Sequence, residues 1–169
     1  MIKIEKTDKD FQAFKWVLRA KSSNPIKPVY TCLYSDGENV VCTESHRLHM
    51  IGLTMNKVPA GLYDVVSTAK EILLIESKID GLFPDYKQVL YKGAEKAAKL
   101  SPWIKSSNGA TTLFDIMSKG FCVNPEYIKD ACADCVDLQI IYHNIDNSMT
   151  PVQIFNDFGI AVIMPLEVK

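Results

Sequence analysis

The spacing of apolar residues predicts a strand, a helix and a series of strands in the first half of the chain. Residues 1–6 alternate between polar and apolar side chains, which indicates a strand. The next apolar residues recur at helical spacing and predict one amphipathic helix, which ends before Pro25; they are Phe11, Phe14, Val17 and Leu18. Runs of β-branched and aromatic residues between turn residues predict strands at 29–34, 40–43, 48–54 and 62–66. A second helix is expected at 68–76, with Ser67 as its N-cap.

A similar group of elements is predicted at the other end of the chain. Residues 120–123 are expected to form a strand. Asn124 is placed to cap a helix in which Pro125 takes the first helical position. Further runs of apolar residues, separated by turn residues, predict strands at 138–142, 151–155 and 160–164. Between the two groups, residues 78–119 are interrupted by glycines and prolines and predict loops with one or two short helices.

The repeated order of one strand, one helix and three strands defines the expected architecture. We expect an α+β fold in which two such units form antiparallel sheets with the helices on one side. The 169 residues suit a single domain, with a first unit at 1–77, an irregular basic insert at 78–119 and a second unit at 120–169. Two large aromatic residues of the insert, Trp103 and Phe114, are expected to anchor it to the core.

Composition and charge narrow the class of protein. With 47% apolar residues, 23% charged residues and a net charge of −1, the chain is typical of a globular protein. It has no apolar run of the ~20 residues that cross a bilayer, and its N-terminus lacks the pattern of a signal peptide, so we expect a cytoplasmic protein with no membrane contact. Residues 1–27 hold seven basic and three acidic side chains, and residues 87–105 hold five and one. This distribution permits a local basic surface but disfavours a general affinity for polyanions.

The sequence contains no recognisable catalytic constellation. A glycine-rich phosphate loop, a His-Glu-x-x-His motif and a nucleophile elbow are all missing from it. We therefore expect a binding protein rather than an enzyme, with no cofactor and no metal. One alternative of a different class stays open. Cys132 and Cys135 form a C-x-x-C pair which, together with Cys122, would suit a cytosolic thiol or metal-binding protein.

Three segments carry motifs that occur in a fixed order along the chain. The first is Val41–Leu48, with the sequence VCTESHRL, and the second is Gly81–Leu90, with the sequence GLFPDYKQVL. The third comprises Pro151–Ile154 and Ala161–Leu166. They resemble the T-D-G-H-R-L turn, the interdomain G-x-F-P-D-Y-x-x-V segment and the C-terminal V-V-M-P-M strand of the bacterial sliding clamp, the β subunit of the replicative DNA polymerase. Gly120–Asp134 is also similar to the clamp's strand and helix before that ending.

The resemblance implies a non-catalytic protein of DNA replication or repair that binds the clamp-binding peptides of partner proteins. It implies that the three segments meet at an apolar groove lined by Thr43, His46, Arg47, Leu48, Pro84, Val89, Val162, Ile163, Met164, Pro165 and Leu166. Arg47 and His46 would donate hydrogen bonds at the rim. Met164 would adapt to different anchor residues of the peptide. Where the family has a basic residue before the valine, this chain has Gln88, and after the segment that resembles M-P-M it has Glu167.

The resemblance also implies contact with double-stranded DNA and assembly of several copies. A bacterial clamp subunit has three such domains, and two subunits close a ring around DNA. The candidate DNA contacts are the basic residues of the first helix and of the insert, namely Lys9, Lys15, Arg19, Lys92, Lys96 and Lys99. The helix that begins at Pro125 is less suited to phosphates, because it carries three acidic residues and only Lys129 as a basic one.

Ordinary structural roles stay open for several of these residues. His46 and Arg47 suit a polar turn without any ligand. Val162 and Ile163 suit a plain core strand as well as a binding groove. The lysines of the insert suit a solvated surface.

Overall fold

A computed structural model describes residues 1–53, 58–90, 99–105, 109–144 and 149–166. The chain divides into two compact units, Met1–Pro84 and Asp85–Lys169. Within the described ranges, no helix has the length and apolar character needed to span a membrane.

The described part of the first unit contains one α-helix and a six-stranded antiparallel sheet. The elements are β1 (Ile2–Glu5), α1 (Phe11–Val17), β2 (Leu33–Ser35), β3 (Asn39–Thr43), β4 (Arg47–Gly52), β5 (Gly61–Ser67) and β6 (Glu71–Glu76). The strands lie in the order β1-β6-β5-β2-β3-β4. Two 3₁₀ turns, Leu18–Ala20 and Pro28–Thr31, lie between α1 and β2.

Helix α1 covers the sheet with an apolar face that differs by one residue from the prediction. Its buried residues include Trp16, whereas Leu18 is half-buried. The chain tightens into the 3₁₀ turn at Leu18, which rotates this side chain away from the buried face. The Trp16 ring instead stacks on the ring of His49 in β4, with the ring centroids 4.3 Å apart. The helix contacts β3, β4 and β6.

The helix predicted at 68–76 is wrong, because this segment forms a turn followed by β6. The Thr68 hydroxyl accepts hydrogen bonds from the backbone N–H groups of Lys70 and Glu71, at 3.2 and 3.0 Å. The hydroxyl therefore stabilises the hairpin turn between β5 and β6 instead of a helix start. Ile72 and Leu74 are buried and alternate with more exposed residues, as a strand between two neighbours requires.

Two other predicted strands also differ from the structure. The strand expected at 29–34 is reduced to β2, because its first residues belong to the 3₁₀ turn Pro28–Thr31. The segment 120–123 is not a strand: Gly120 has a φ of +84° and ends the turn after a helix. Phe121 and Val123 are nevertheless buried, so the apolar pattern of that segment correctly indicated core residues.

The described part of the second unit contains two α-helices and an antiparallel sheet. A 3₁₀ turn at Tyr86–Val89 is followed by β7 (Lys99–Leu100), β8 (Ile104–Lys105), α2 (Ala110–Ser118), α3 (Pro125–Ala131), β9 (Asp137–Tyr142), β10 (Val152–Asn156) and β11 (Ile160–Ile163). The strands lie in the order β11-β10-β9-β7, and β8 also pairs with β9. The Asn124 side chain accepts a hydrogen bond from the backbone N–H of Glu126 at 3.0 Å, which confirms the predicted cap.

The core of the second unit lies between its helices and its sheet. Helix α3 contacts α2 and β11, and Phe121 packs against Tyr142 with the ring centroids 5.3 Å apart. Trp103 and Phe114 do not anchor the insert as expected, since 65% and 77% of their surfaces are exposed. On α2 the buried positions are occupied by Thr112 and Ile116, so Phe114 faces solvent. The predicted α+β class with antiparallel sheets is confirmed, whereas the single-domain organisation stays a prediction.

Candidate functional site

The turn between β3 and β4 carries the first predicted site motif. The Thr43 hydroxyl donates to the backbone carbonyl of Arg47 at 2.6 Å and accepts from the backbone N–H of Ser45 at 3.2 Å. These two bonds close a tight turn in which Ser45 has a φ of +90°. The turn is therefore a fixed structure that presents Ser45 and His46, both exposed, at its tip.

Arg47 stabilises the base of the turn. Its guanidinium donates to the backbone carbonyl of Arg19 at 2.7 Å, and its Nε lies 3.4 Å from a carboxylate oxygen of Glu44. The half-buried side chain thus ties the turn to the end of the helical segment that follows α1. This arrangement supports a structural role for Arg47 and leaves His46 as the exposed polar residue of the pair.

Lys27 also belongs to this surface, although it is not among the predicted site residues. Its ammonium group donates to the Ser45 hydroxyl at 3.0 Å and lies 5.4 Å from the centroid of the Tyr30 ring. Lys27 and Ser45 are 18 residues apart, and no motif spacing indicates that they meet. The available signal was a basic residue between two prolines in the loop after the first helix.

The segment Gly81–Pro84, at the end of the first unit, lies against Tyr30 and Tyr34. The Phe83 ring stacks on Tyr34 with centroids 4.7 Å apart and meets the Tyr30 ring edge-on at 6.4 Å. A Cβ atom on Gly81 would lie 2.7 Å from a methyl group of Val29, so only glycine permits this approach. Leu82 and Pro84 remain exposed. The aromatic residue of the second motif therefore serves as the anchor that positions the exposed Pro84.

The predicted site residues of the second unit differ in exposure. Val162 and Ile163 are buried in β11, with 2% and 0% of their surfaces exposed, which supports the core-strand interpretation. Met164 and Pro165 are half-buried, and Leu166 is exposed.

Backbone groups beside these residues are held by hydrogen bonds within the second unit. The N–H of Leu166 donates to the carbonyl of Cys122 at 2.8 Å. Val89 is half-buried, and its carbonyl accepts from the Gln153 amide at 2.9 Å.

Within the first unit, the structure brings four of the predicted groove residues together on one turn. Thr43 and Leu48 are direct partners across β3 and β4, and both are buried, with 6% of each surface exposed. They form the support of the turn, and His46 forms its accessible tip. The convergence of the three motifs on one groove stays a prediction.

The candidate DNA contacts are also distributed unevenly. Lys9 and Arg19 are exposed, whereas the Lys15 ammonium donates to the Ser67 hydroxyl at 3.1 Å and to the Thr68 carbonyl at 3.3 Å. Lys15 thus holds α1 to the end of β5. The backbone of Lys99 belongs to β7, and Lys92 and Lys96 lie outside the described residues.

The environment of Cys132 and Cys135 does not support a thiol or metal-binding function. Burial raises the pKa of Cys132 to about 11, so its thiol stays protonated at neutral pH and is a poor nucleophile and metal ligand. The Cys135 thiol donates to the Cys132 carbonyl at 3.1 Å. Across the ranges that the structure describes, no group of three or more His, Cys, Asp or Glu side chains is placed to hold a metal ion.

The sequence matches no protein-family model and no curated protein, but its structure is similar to those of solved proteins. The β subunit of DNA polymerase III from Thermotoga maritima is 13% identical with a TM-score of 0.65, and the match covers 100% of this chain and 66% of that chain. The β chain from Streptococcus pneumoniae is 11% identical with a TM-score of 0.65, and the match covers 99% and 64%. The β subunit from Pseudomonas aeruginosa is 14% identical with a TM-score of 0.62, and the match covers 99% and 67%.

These similarities define the class of fold. The chain has the fold of the bacterial sliding clamp over its whole length, as the motifs predicted. It spans about two thirds of the length of the clamps it matches.

Proposed function

We propose that this protein is a non-catalytic, clamp-like factor of DNA replication or repair that binds short peptides of partner proteins. The observation that carries the proposal is the sliding-clamp fold across 100% of the chain, together with the ordered T-E-S-H-R-L turn. Similar solved clamps include one from Pseudomonas aeruginosa bound to griselimycin and one from C. crescentus with PEG bound. The proposed role places the protein in the cytoplasm.

In the first unit, two exposed residues of the predicted groove support the proposal. His46 is exposed and polar, and the exposed Pro84 is held by the anchored Phe83. A flexible peptide needs an apolar surface for its anchor residue and a few donors that orient its backbone. A small transient contact of this kind has an affinity of order ~1 μM, about −8 kcal/mol.

In the second unit, the residues after β11 are a separate candidate contact surface. Met164 and Pro165 are half-buried and Leu166 is 42% exposed, so each offers apolar surface to a ligand. Because methionine has a flexible, polarizable side chain, Met164 can adapt to different peptide anchors. Val162 and Ile163 would support this surface from the core.

Titration with a labelled peptide of the clamp-binding type tests the proposal. We expect saturable binding that is weakened about tenfold, a loss of about 1.4 kcal/mol, by His46→Ala if the peptide binds at the turn and by Leu166→Asp if it binds after β11. Val136→Asp is the matched control for Leu166→Asp, because Val136 is an exposed apolar residue outside the candidate surface. Absence of saturable binding to the unmodified protein would overturn the proposal.

DNA binding and assembly of several copies form a second part of the proposal. Its support is the clamp fold and the exposure of Lys9 and Arg19. Light scattering with and without duplex DNA measures both properties. A mass of several subunits that rises with DNA supports a clamp that encircles DNA, and a monomer whose mass ignores DNA excludes the ring without affecting peptide binding.

A further inference from the structure

Ser45 occupies a backbone conformation that favours glycine. Its φ is +90°, and the clamp turn that this segment resembles has glycine at the corresponding place. Non-glycine residues rarely adopt such angles, and where they do, the strain is often associated with a functional site. In this chain the residue is serine, and its hydroxyl accepts a hydrogen bond from the ammonium group of Lys27 at 3.0 Å.

The loop that carries Lys27 is ordered by its own hydrogen bonds. The backbone N–H of Asn24 donates to the Ser22 hydroxyl and that of Ile26 donates to the Asn24 side chain, each at 3.0 Å. The backbone N–H of Ser22 donates to the carbonyl of Tyr30, also at 3.0 Å, and closes the base of the loop. A ligand that binds Lys27 therefore meets a cation that is already positioned, which reduces the entropy lost on binding.

The Lys27–Ser45 pair retains unused donors. The serine hydroxyl accepts from the ammonium group, so its own proton remains available, and the ammonium group has three N–H bonds in total. Two adjacent donors, one of them charged, suit the two oxygens of a carboxylate. The pair is exposed to solvent, so a ligand reaches it without any rearrangement of the core.

The charges near the pair favour an acidic ligand. Residues 19–31 contain three basic side chains and no acidic one. The carboxylate of the turn, Glu44, lies 3.4 Å from Arg47 Nε and is thereby partly neutralised. Electrostatic complementarity of this kind selects partners and accelerates their association.

An exposed apolar residue is the chain neighbour of Lys27. Ile26, which directly precedes Lys27, is 84% exposed. An apolar surface next to a cation fits a peptide with an acidic and an apolar residue side by side, and it fits a phosphate backbone poorly because phosphates do not pack on apolar side chains.

We propose that Lys27 and Ser45 form a carboxylate-binding notch that selects partner peptides with an acidic residue beside an apolar anchor. The apolar anchor contacts Ile26 while the carboxylate accepts hydrogen bonds from both members of the pair. This inference rests on the proposed function, because it names the chemistry of the peptide that binds at the 43–47 turn.

Two peptides of the clamp-binding type that differ by one Asp→Asn change test the notch. We expect the acidic peptide to bind the unmodified protein about five- to tenfold more tightly, with the preference falling as salt screens the charge. Lys27→Gln should abolish the preference, and Ser45→Gly should reduce it without loss of folding, since glycine relieves the φ of +90°. Lys70→Gln is the control, because Lys70 is an exposed lysine of the same unit outside the notch.

The outcomes distinguish the notch from the proposed function. Equal binding of both peptides, unchanged by Lys27→Gln, overturns the notch and leaves peptide binding intact. Failure of both peptides to bind removes the proposed function and the notch with it. If Lys27→Gln weakens binding of duplex DNA but changes neither peptide, the pair contacts phosphates and the carboxylate assignment is wrong.

Discussion

The ring of Phe83 stacks face to face on the ring of Tyr34, with centroids 4.7 Å apart and planes inclined by 8°. This contact holds the end of the first unit's chain, including the exposed Pro84, against β2. We predict that Phe83→Ala releases segment 79–84 and lowers the free energy of unfolding by about 1–3 kcal/mol, because stacking and half-buried apolar surface are lost.

Hydrogen exchange at residues 79–84 and urea unfolding measure this effect. Leu82→Ala is the control, since 96% of the Leu82 surface is exposed and its removal should cost almost nothing. Equal exchange in the two variants would show that the ring stack does not hold the segment.

Gly81, two residues before Phe83, lets the same segment lie close to Val29. Gly81 has a φ of +151°, and an added Cβ would lie 2.7 Å from a Val29 methyl group. We predict that Gly81→Ala destabilises the protein by about 1–3 kcal/mol through crowding and backbone strain. Gly52→Ala is the control, because the nearest atom to its Cβ would be at 4.0 Å. Thermal unfolding should separate the two variants, and similar midpoints would contradict the crowding.

In the second unit, the Tyr142 hydroxyl donates to a carboxylate oxygen of Asp115 at 2.6 Å. Burial raises the pKa of Tyr142, and the Asp115 carboxylate raises it further, so the phenol keeps its proton. We predict that Tyr142→Phe costs about 1–2 kcal/mol, since the carboxylate loses its donor. A double-mutant cycle with Asp115→Asn by urea unfolding should show coupling, whereas purely additive losses would mean that the bond contributes nothing to stability.

The buried thiol of Cys132 makes stability fall at alkaline pH. Burial raises its pKa from 9.0 to about 11, so the folded state keeps a proton that the unfolded state releases. The stabilisation is fully present below about pH 9 and is lost as pH rises through about 11, for a total of about 2–3 kcal/mol. Burial also raises the pKa of Cys42, which acts in the same direction.

Urea unfolding under reducing conditions at pH 8 and pH 10.5 checks this prediction. The loss of stability between the two pH values should be smaller in Cys132→Ala than in the unmodified protein. The variant should retain part of the loss, because Cys42 still titrates. An identical loss in both proteins would exclude a contribution from Cys132.

Elements specified by local signals were predicted well. Turn chemistry and residues a few positions apart determine the strands predicted at 40–43 and 48–54, which are β3 and β4, and the cap formed by Asn124 and Pro125. The similarity to sliding clamps also followed from ordered motifs, although identity to the solved clamps is only 11–14%. The order of short motifs can therefore indicate a fold even where the overall sequence identity is too low to do so.

The segment at 68–76 shows where local signals fail. Its four successive apolar residues suit a buried helix or a strand, and Ser67 and Thr68 resemble a helix cap. The choice depended on pairing with β1, which is distant in sequence, as well as with the preceding strand β5: Ile72 opposes Ile4 on one side and Ser67 on the other. Strand pairing of this kind overrides weak local preferences.

The amino-acid order was sufficient to indicate the α+β class and the polar turn at 43–47, because each depends on residues close together in the chain or on composition. The roles of individual side chains were decided by folding. Arg47 bonds to the carbonyl of Arg19, and Lys27 meets Ser45. Such contacts between separate segments follow from how strands and loops pack in three dimensions, and the spacing of residues along the chain does not predict them.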